Sequence, residues 1–122
     1  MIESKKLVYL AGPYTKPDPC ENVNRTCSLA TELIDLGFAP LIPHLTMLWH
    51  VITPRPIEFW YDYDLQLVLR CDALLRIPGE STGADREVEF ARQRGIPVVG
   101  SVADLVAWRR AQLLFPISEA SP

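Results

Sequence analysis

Two acidic side chains stand in surroundings that disfavour them. Glu87 shares a helical face with Ala84, Val88 and Ala91, and Asp64 lies among Trp60, Tyr61, Leu65, Leu67 and Val68. A carboxylate on a small apolar face needs partners, because an uncompensated buried charge is costly. Two carboxyl groups brought to one site suit glycoside chemistry, in which one attacks the anomeric carbon and the other donates a proton to the departing group. Each acid also has a plainer reading. Glu87 would complement the helix macrodipole or pair with Arg86 or Arg94, and Asp64 would be a buried acid that has found a partner. Asp62 and Asp72 compete for such roles but read as structural, the first as a solvated helix residue and the second as a strand-start or helix-end residue.

Two loops supply candidate contacts. Gly12-Pro13-Tyr14-Thr15-Lys16 sets a glycine, which permits close backbone approach, beside aromatic, hydroxyl and cationic groups. That set suits a sugar or phosphate; the alternative is a tight surface turn. The loop contains neither G-x-G-x-x-G nor G-x-x-x-x-G-K-[ST], so a dinucleotide or triphosphate site of the usual kind is not supported. Ser81 to Glu87 places small residues, Gly83 and Ala84 among them, and backbone N–H groups at a helix start, where unpaired donors and the macrodipole favour an anion. His44 and His50 are off the i,i+4 spacing of paired helical ligands and have no evident third partner, so neither a metal nor a cofactor is expected. Trp49, Trp60 and Trp108 read as core or oligomer-interface residues rather than stacking platforms.

These groups must be held by regular elements. Leu7 to Ala11, stopped by Gly12-Pro13, reads as a strand buried on both faces. From Glu21 to Leu36, Val23, Cys27, Ala30 and Ile34 recur at helical steps and predict the inward face of a helix that Gly37 ends. Ala39 to Ile42 reads as a second strand, and His44 to Pro56 as a short helical turn followed by an irregular loop. Pro56 suits the first position of a helix ending near Arg70. Asp72 to Ile77 reads as a third strand, and a helix capped by Ser81 or Thr82 runs from about Gly83 to Arg94. Ile96 to Gly100 reads as a fourth strand, and Val102, Leu105, Val106 and Arg109 mark a last helix before a tail from about residue 113. Alternation of this kind predicts an α/β fold: a small doubly wound, flavodoxin-like or Rossmann-like, mostly parallel sheet of about four to five strands with helices on both faces. Ligands of such sheets sit beyond the carboxyl ends of the strands, where the strand order reverses. The loops after the first and third strands are therefore the ones to examine.

Composition narrows the classes. The 122 residues fit one domain, and 48% hydrophobic with 22% charged residues is the balance of a folding globular chain. Fifteen acidic and twelve basic side chains give a net charge of -3, so duplex nucleic acid is not an expected partner. The apolar runs are far shorter than the roughly 20 residues of a membrane helix. Too few apolar residues precede Gly12 for a signal-peptide core, and a cytoplasmic protein with no membrane partner is expected. Cys20, Cys27 and Cys71 are odd in number and fit no zinc spacing, which points to reduced thiols.

Taken in order, Tyr9-Leu10-Ala11-Gly12-Pro13-Tyr14, Pro43-His44, Asp64 with Cys71-Asp72, and Ser81-x-Gly83-Ala84-x-x-Glu87-x-x-x-Ala91 resemble the nucleoside 2-deoxyribosyltransferase-like superfamily over about Leu7 to Val99. The resemblance implies a small doubly wound fold that cleaves or exchanges the N-glycosidic bond of nucleosides or nucleoside 5′-monophosphates. It implies Glu87 as nucleophile, Asp64 as the acid assisting the departing base, and Tyr9 as the residue orienting the nucleophile. The backbone near Gly12 and Gly83, with Ser81, would surround the sugar and its 5′ substituent. The transferase branch tends to place an acid where Ser81 stands and uses a neighbouring subunit's asparagine; here the only asparagines are Asn22 and Asn24. Serine at this position resembles the 5′-monophosphate hydrolase branch, in which Thr15 and Lys16 would hold phosphate. The resemblance also implies a homo-oligomer in which Leu113-Leu114-Phe115 packs and Ser118 or Ser121 reaches an adjacent site. Two other readings are a nucleotide-binding sensor or accessory protein without turnover, and a structural flavodoxin-like module that would leave Glu87 facing bulk solvent.

Overall fold

The computed structural model describes residues 2–115. Four parallel strands, β1 (Leu7–Ala11), β2 (Ala39–Leu41), β3 (Ala73–Arg76) and β4 (Val98–Val99), lie in the order β2-β1-β3-β4. The expected α/β doubly wound sheet is thus present, with four strands. The chain leaves β1 for one edge and then returns to add β3 on the other side, so the reversal lies between β1 and β3. Val8 pairs with Ala73 and Ala11 with Arg76, which brings the carboxyl ends of these two strands together.

Side-chain alternation along β1 explains the two layers of helices. Val8 and Leu10 point to one face, where they meet Ala30 and Leu33 of α1 (Pro19–Asp35) and Leu105 of α5 (Val102–Leu114). Tyr9 and Ala11 point to the other face, against Val68 of α3 (Ile57–Arg70) and Ala84, Val88 and Ala91 of α4 (Thr82–Gln93). Fully burying an aliphatic side chain contributes about 1.5–3 kcal/mol, so each layer is strongly held.

The inward face of α1 differs from the expected one. Asn22, Thr26, Ala30 and Leu33 are buried, whereas Ile34 is 55% exposed. The helix is rotated by about one residue because its polar groups have work on the inside. The Asn22 amide donates to the carbonyls of Tyr14 and Lys16, each at 2.9 Å, and the Thr26 hydroxyl donates to the Asn22 carbonyl at 2.8 Å. Satisfied in this way, two polar residues can be buried without penalty.

Other boundaries shift for local reasons. A 3-10 turn (Pro43–Leu45) leads into a seven-residue helix, α2 (Thr46–Ile52), where mostly irregular chain is expected; the irregular stretch is confined to residues 53–56. No residue of α2 is buried, and contacts of Trp49 with Trp60 and Tyr63, at centroid distances of 5.5 and 5.6 Å, tie it to α3. Pro56 precedes α3 with an extended ψ of 149° rather than opening it. Asp72 is structural as expected, its carboxylate accepting from the Leu7 N–H at 2.8 Å. Among the described residues, no helix is long and apolar enough to cross a membrane.

Two glycines let the loops at the reversal pack tightly. A Cβ on Gly12 would lie 2.8 Å from Cβ of Ile77, and Gly79, with φ +127°, faces Pro13 so closely that a Cβ would meet its ring at 2.6 Å. Only a residue without a side chain fits either place.

Candidate active site

The reversal point opens into a cavity of about 350 Å³ lined by the loop after β1, the start of α4, the inner side of α3 and residues of α2. Glu87 and Asp64 both line it. Glu87 is delivered by α4, whose start is fixed by Ser81: its hydroxyl oxygen accepts from the Ala84 N–H at 3.1 Å. Asp64 follows Trp60 by one turn of α3, so both project from one side of that helix. Tyr9 lies beneath the pocket, fully buried, and its hydroxyl donates to Oε2 of Glu87 at 2.5 Å. The strand's period of two puts this hydroxyl on the α3–α4 side of the sheet.

The electrostatics follow from burial. Glu87 is pushed up to about 8, chiefly by burial; the charge of Asp64 adds to the rise, while the Tyr9 hydrogen bond and the Arg76 and Arg86 charges oppose it. Burial pushes Asp64 up to about 7. Tyr9 is raised well above its ordinary value by burial and by the two acids, so it remains a donor. Such a pair titrates as a unit, and near neutrality it retains a proton that its surroundings must place. Burial alone favours Glu87 as its holder, but the anion-stabilising groups favour Asp64: a short O–H···O bond from Tyr9 is the kind made to a carboxylate, whereas Oδ1 of Asp64 is buried with no partner.

Glu87 forms no contact ion pair with Arg86 or Arg94, although the Arg86 charge still acts on it. The Arg86 guanidinium stacks over Tyr61 at 4.4 Å and that of Arg94 over Phe90 at 5.1 Å. Arg76 is held by the Gly79 carbonyl and by Asp85, each at 2.9 Å. Among the described residues, Arg76–Asp85 is the one ion pair. Glu87 is half-buried and bonded to Tyr9, not turned to bulk solvent as a structural module would have it.

Of the expected contacts, Gly12, Tyr14, Thr15, Ser81, Gly83 and Ala84 line the same cavity as the two acids. Pro13 and Lys16 do not. They border a separate hollow with Arg25 and Glu80, because the Asn22 amide holds the carbonyls on both sides of Thr15 and the exposed Lys16 side chain lies on the far flank. Leu113, Leu114 and Phe115 are exposed, at 77, 65 and 78%, while Ser118 and Ser121 lie outside the described residues.

Sequence reading missed part of the wall. His44 is buried, and its Nε2 donates to the Pro13 carbonyl at 3.1 Å, the carbonyl being able only to accept; burial lowers its pKa and keeps it neutral. It therefore clamps the first loop from below while Asn22 holds it from the side. His50, Met47, Ile57, Trp60 and Tyr61 also line the cavity, Tyr61 beside Gly83 at the start of α4. The Pro43-His44 pair was visible, but its role rests on a contact to Pro13 that no spacing encodes. Among the described residues, no three His, Cys, Asp or Glu side chains group as a metal site. No family model matches the chain, and no curated protein matches it.

Proposed function

We propose that this protein cleaves or exchanges the N-glycosidic bond of a nucleoside or nucleoside 5′-monophosphate through a covalent glycosyl-Glu87 intermediate, as its resemblance to the nucleoside 2-deoxyribosyltransferase-like superfamily implies. The observation that carries the reading is the arrangement of Tyr9, Glu87 and Asp64: a hydroxyl bonded to one acid and a second, unpartnered acid facing the same cavity. The Glu87 carboxylate attacks C1′ as the bond from C1′ to the base nitrogen breaks, and the Asp64 carboxyl supplies the proton the departing base needs. An ester between the sugar and Glu87 results. Water then attacks C1′, giving up a proton to Asp64 and releasing free sugar, or a second base takes its place and yields a new nucleoside. Tyr9 orients the attacking oxygen and, staying protonated, stabilises the carboxylate each time it is regenerated.

Gly12, Gly83 and the hydroxyls of Thr15 and Ser81 are the groups for the sugar and its 5′ substituent. Ser81 oxygen already accepts from the Ala84 N–H, so its own proton is free to be donated. The exposed apolar residues of α2 and the end of α5 support a homo-oligomer as the working form. The test is incubation with a panel of nucleosides and 5′-monophosphates, with and without an acceptor base, analysed for free base and new nucleoside. Release of base that Glu87→Gln abolishes supports the mechanism. Binding without turnover across the panel assigns the pocket to a sensor instead.

A further inference from the structure

His50 is held in an unusual way. Its Nδ1 accepts the Trp60 indole N–H at 2.7 Å and lies 3.3 Å from the Arg55 backbone N–H. A ring nitrogen that receives N–H donors must offer its lone pair, so the neutral ring carries its proton on Nε2. The tautomer and the ring orientation are thus set by Trp60, itself 9% exposed and packed edge-on to Trp49 and Phe59 at 5.5 and 5.0 Å. No described residue accepts from Nε2, although His50 lines the cavity. A fixed N–H donor is therefore available on the α2 side of the pocket.

The position of this donor has chemical meaning within the proposed reaction. The sugar belongs between Glu87 and the loop after β1, and the departing base lies beyond Asp64. Trp60 stands one helical turn from Asp64 in that direction and is bonded to His50, while Met47 and Ile57 supply apolar surface. A base entering this end meets an acid near its glycosidic side and an N–H donor at its far edge. A donor there favours a carbonyl oxygen and opposes an amino group, since two donors facing each other leave both without an acceptor.

We infer that His50 selects the leaving base: its Nε2–H donates to a carbonyl oxygen at the edge remote from the sugar, position 6 of a purine or position 4 of a pyrimidine, and so disfavours bases with an amino group there. The inference rests on the N-glycosidase reading of the site and deepens it to a class of substrate. His50 takes no part in bond breaking; it determines specificity.

The experiment compares matched pairs, inosine with adenosine and uridine with cytidine, as nucleosides and as 5′-monophosphates, in wild type and His50→Asn. The asparagine oxygen falls where Nδ1 stands and keeps the Trp60 bond, but the side chain ends short of Nε2. Wild type should favour the oxo member of a pair by about tenfold to a hundredfold in kcat/KM, and His50→Asn should bring the ratio near one mainly through the oxo substrate. Turnover with no such preference, or a preference that His50→Asn leaves intact, overturns the inference while leaving the glycosidase reading standing. A second measurement is independent of turnover and of the variant: imidazole ¹⁵N shifts of the wild-type protein, which has two histidines. Here His50 should show an unprotonated Nδ1, and its Nε2–H signal should move with hypoxanthine and not with adenine. If nothing in the panel turns over but this response is seen, the glycosidase reading fails and the base-reading role stands. The same shift with both bases, or with neither, rejects it.

Discussion

Replacing Glu87 by glutamine keeps the shape of the side chain and an oxygen for the Tyr9 hydroxyl, and removes the charge that the pocket disfavours. In the wild-type fold burial pushes Glu87 up to about 8, against an ordinary value of 4.5, and because Glu87 and Asp64 titrate together this is where the pair gives up its last proton, whichever acid holds it. An acid whose pKa is raised by folding holds its proton more tightly in the native state, so stability is greatest below the ordinary value and falls as pH rises through the window from there to the folded value. One pKa unit corresponds to about 1.4 kcal/mol, so the loss that the second acid adds to the pair grows from about 1 kcal/mol at pH 5 to about 3 kcal/mol at pH 7. Against a total stability of about 5–15 kcal/mol that is a large fraction. Glu87→Gln lacks this loss and should be nearly as stable as wild type at pH 5 but more stable by about 2–3 kcal/mol at pH 7. Urea unfolding followed by tryptophan fluorescence at the two pH values measures it, and the panel assay should show turnover reduced by roughly three orders of magnitude or more. Identical pH slopes for variant and wild type would refute the raised pKa, and near-normal turnover by the folded variant would refute the covalent route.

Asp64→Asn should abolish release of ordinary bases yet spare substrates whose leaving group departs without a proton, such as a nitrophenyl glycoside; equal losses on both would remove Asp64 from its role as acid. Tyr9→Phe should lower turnover by about tenfold to a hundredfold and cost about 1.5–3 kcal/mol of stability, as measured by steady-state kinetics and urea titration, because it deletes one hydrogen bond to a charged group. Asn22→Ala should raise KM more than it lowers kcat and cost about 1–3 kcal/mol, since it frees two carbonyls of the first loop; unchanged KM would mean the loop holds its shape without the latch. Light scattering at micromolar concentration should show an oligomer, and charged substitutions at Leu48 and Ile52, or at Leu113 and Leu114, should dissociate it; a wild-type monomer contradicts the assembly.

Elements whose cause is local could be read from the sequence. β1 matches its expected span because a run of five apolar residues ends at Gly12-Pro13, and the start of α4 is fixed by the serine cap three residues before Ala84. The meeting of Glu87, Asp64 and Tyr9 was foreseeable because strand alternation and helix period place all three on one side of the sheet. The face of α1 was misread because apolarity points to Val23 and Ile34, whereas the burial of Asn22 depends on carbonyls in a separate loop. Lys16 follows Thr15 in the chain, but adjacency in a loop says little about which cavity each borders. The bond from Trp60 to His50 spans the irregular residues 53–56 between α2 and α3, where no periodicity operates.

The seven residues of α2 include none that are buried, although Thr46, Met47 and His50 line the pocket. Glu87 and Tyr9, by contrast, are anchored in the packed interior. In the proposed reaction the bond-breaking half of the pocket is thus tied to the fold, whereas the base would meet α2, a helix without a buried residue. Exposed positions usually tolerate exchange within about 0.5 kcal/mol. On that reading, exchange at Met47, which lines the pocket from an exposed position, would change the range of bases at little risk to folding and leave the reactive half untouched.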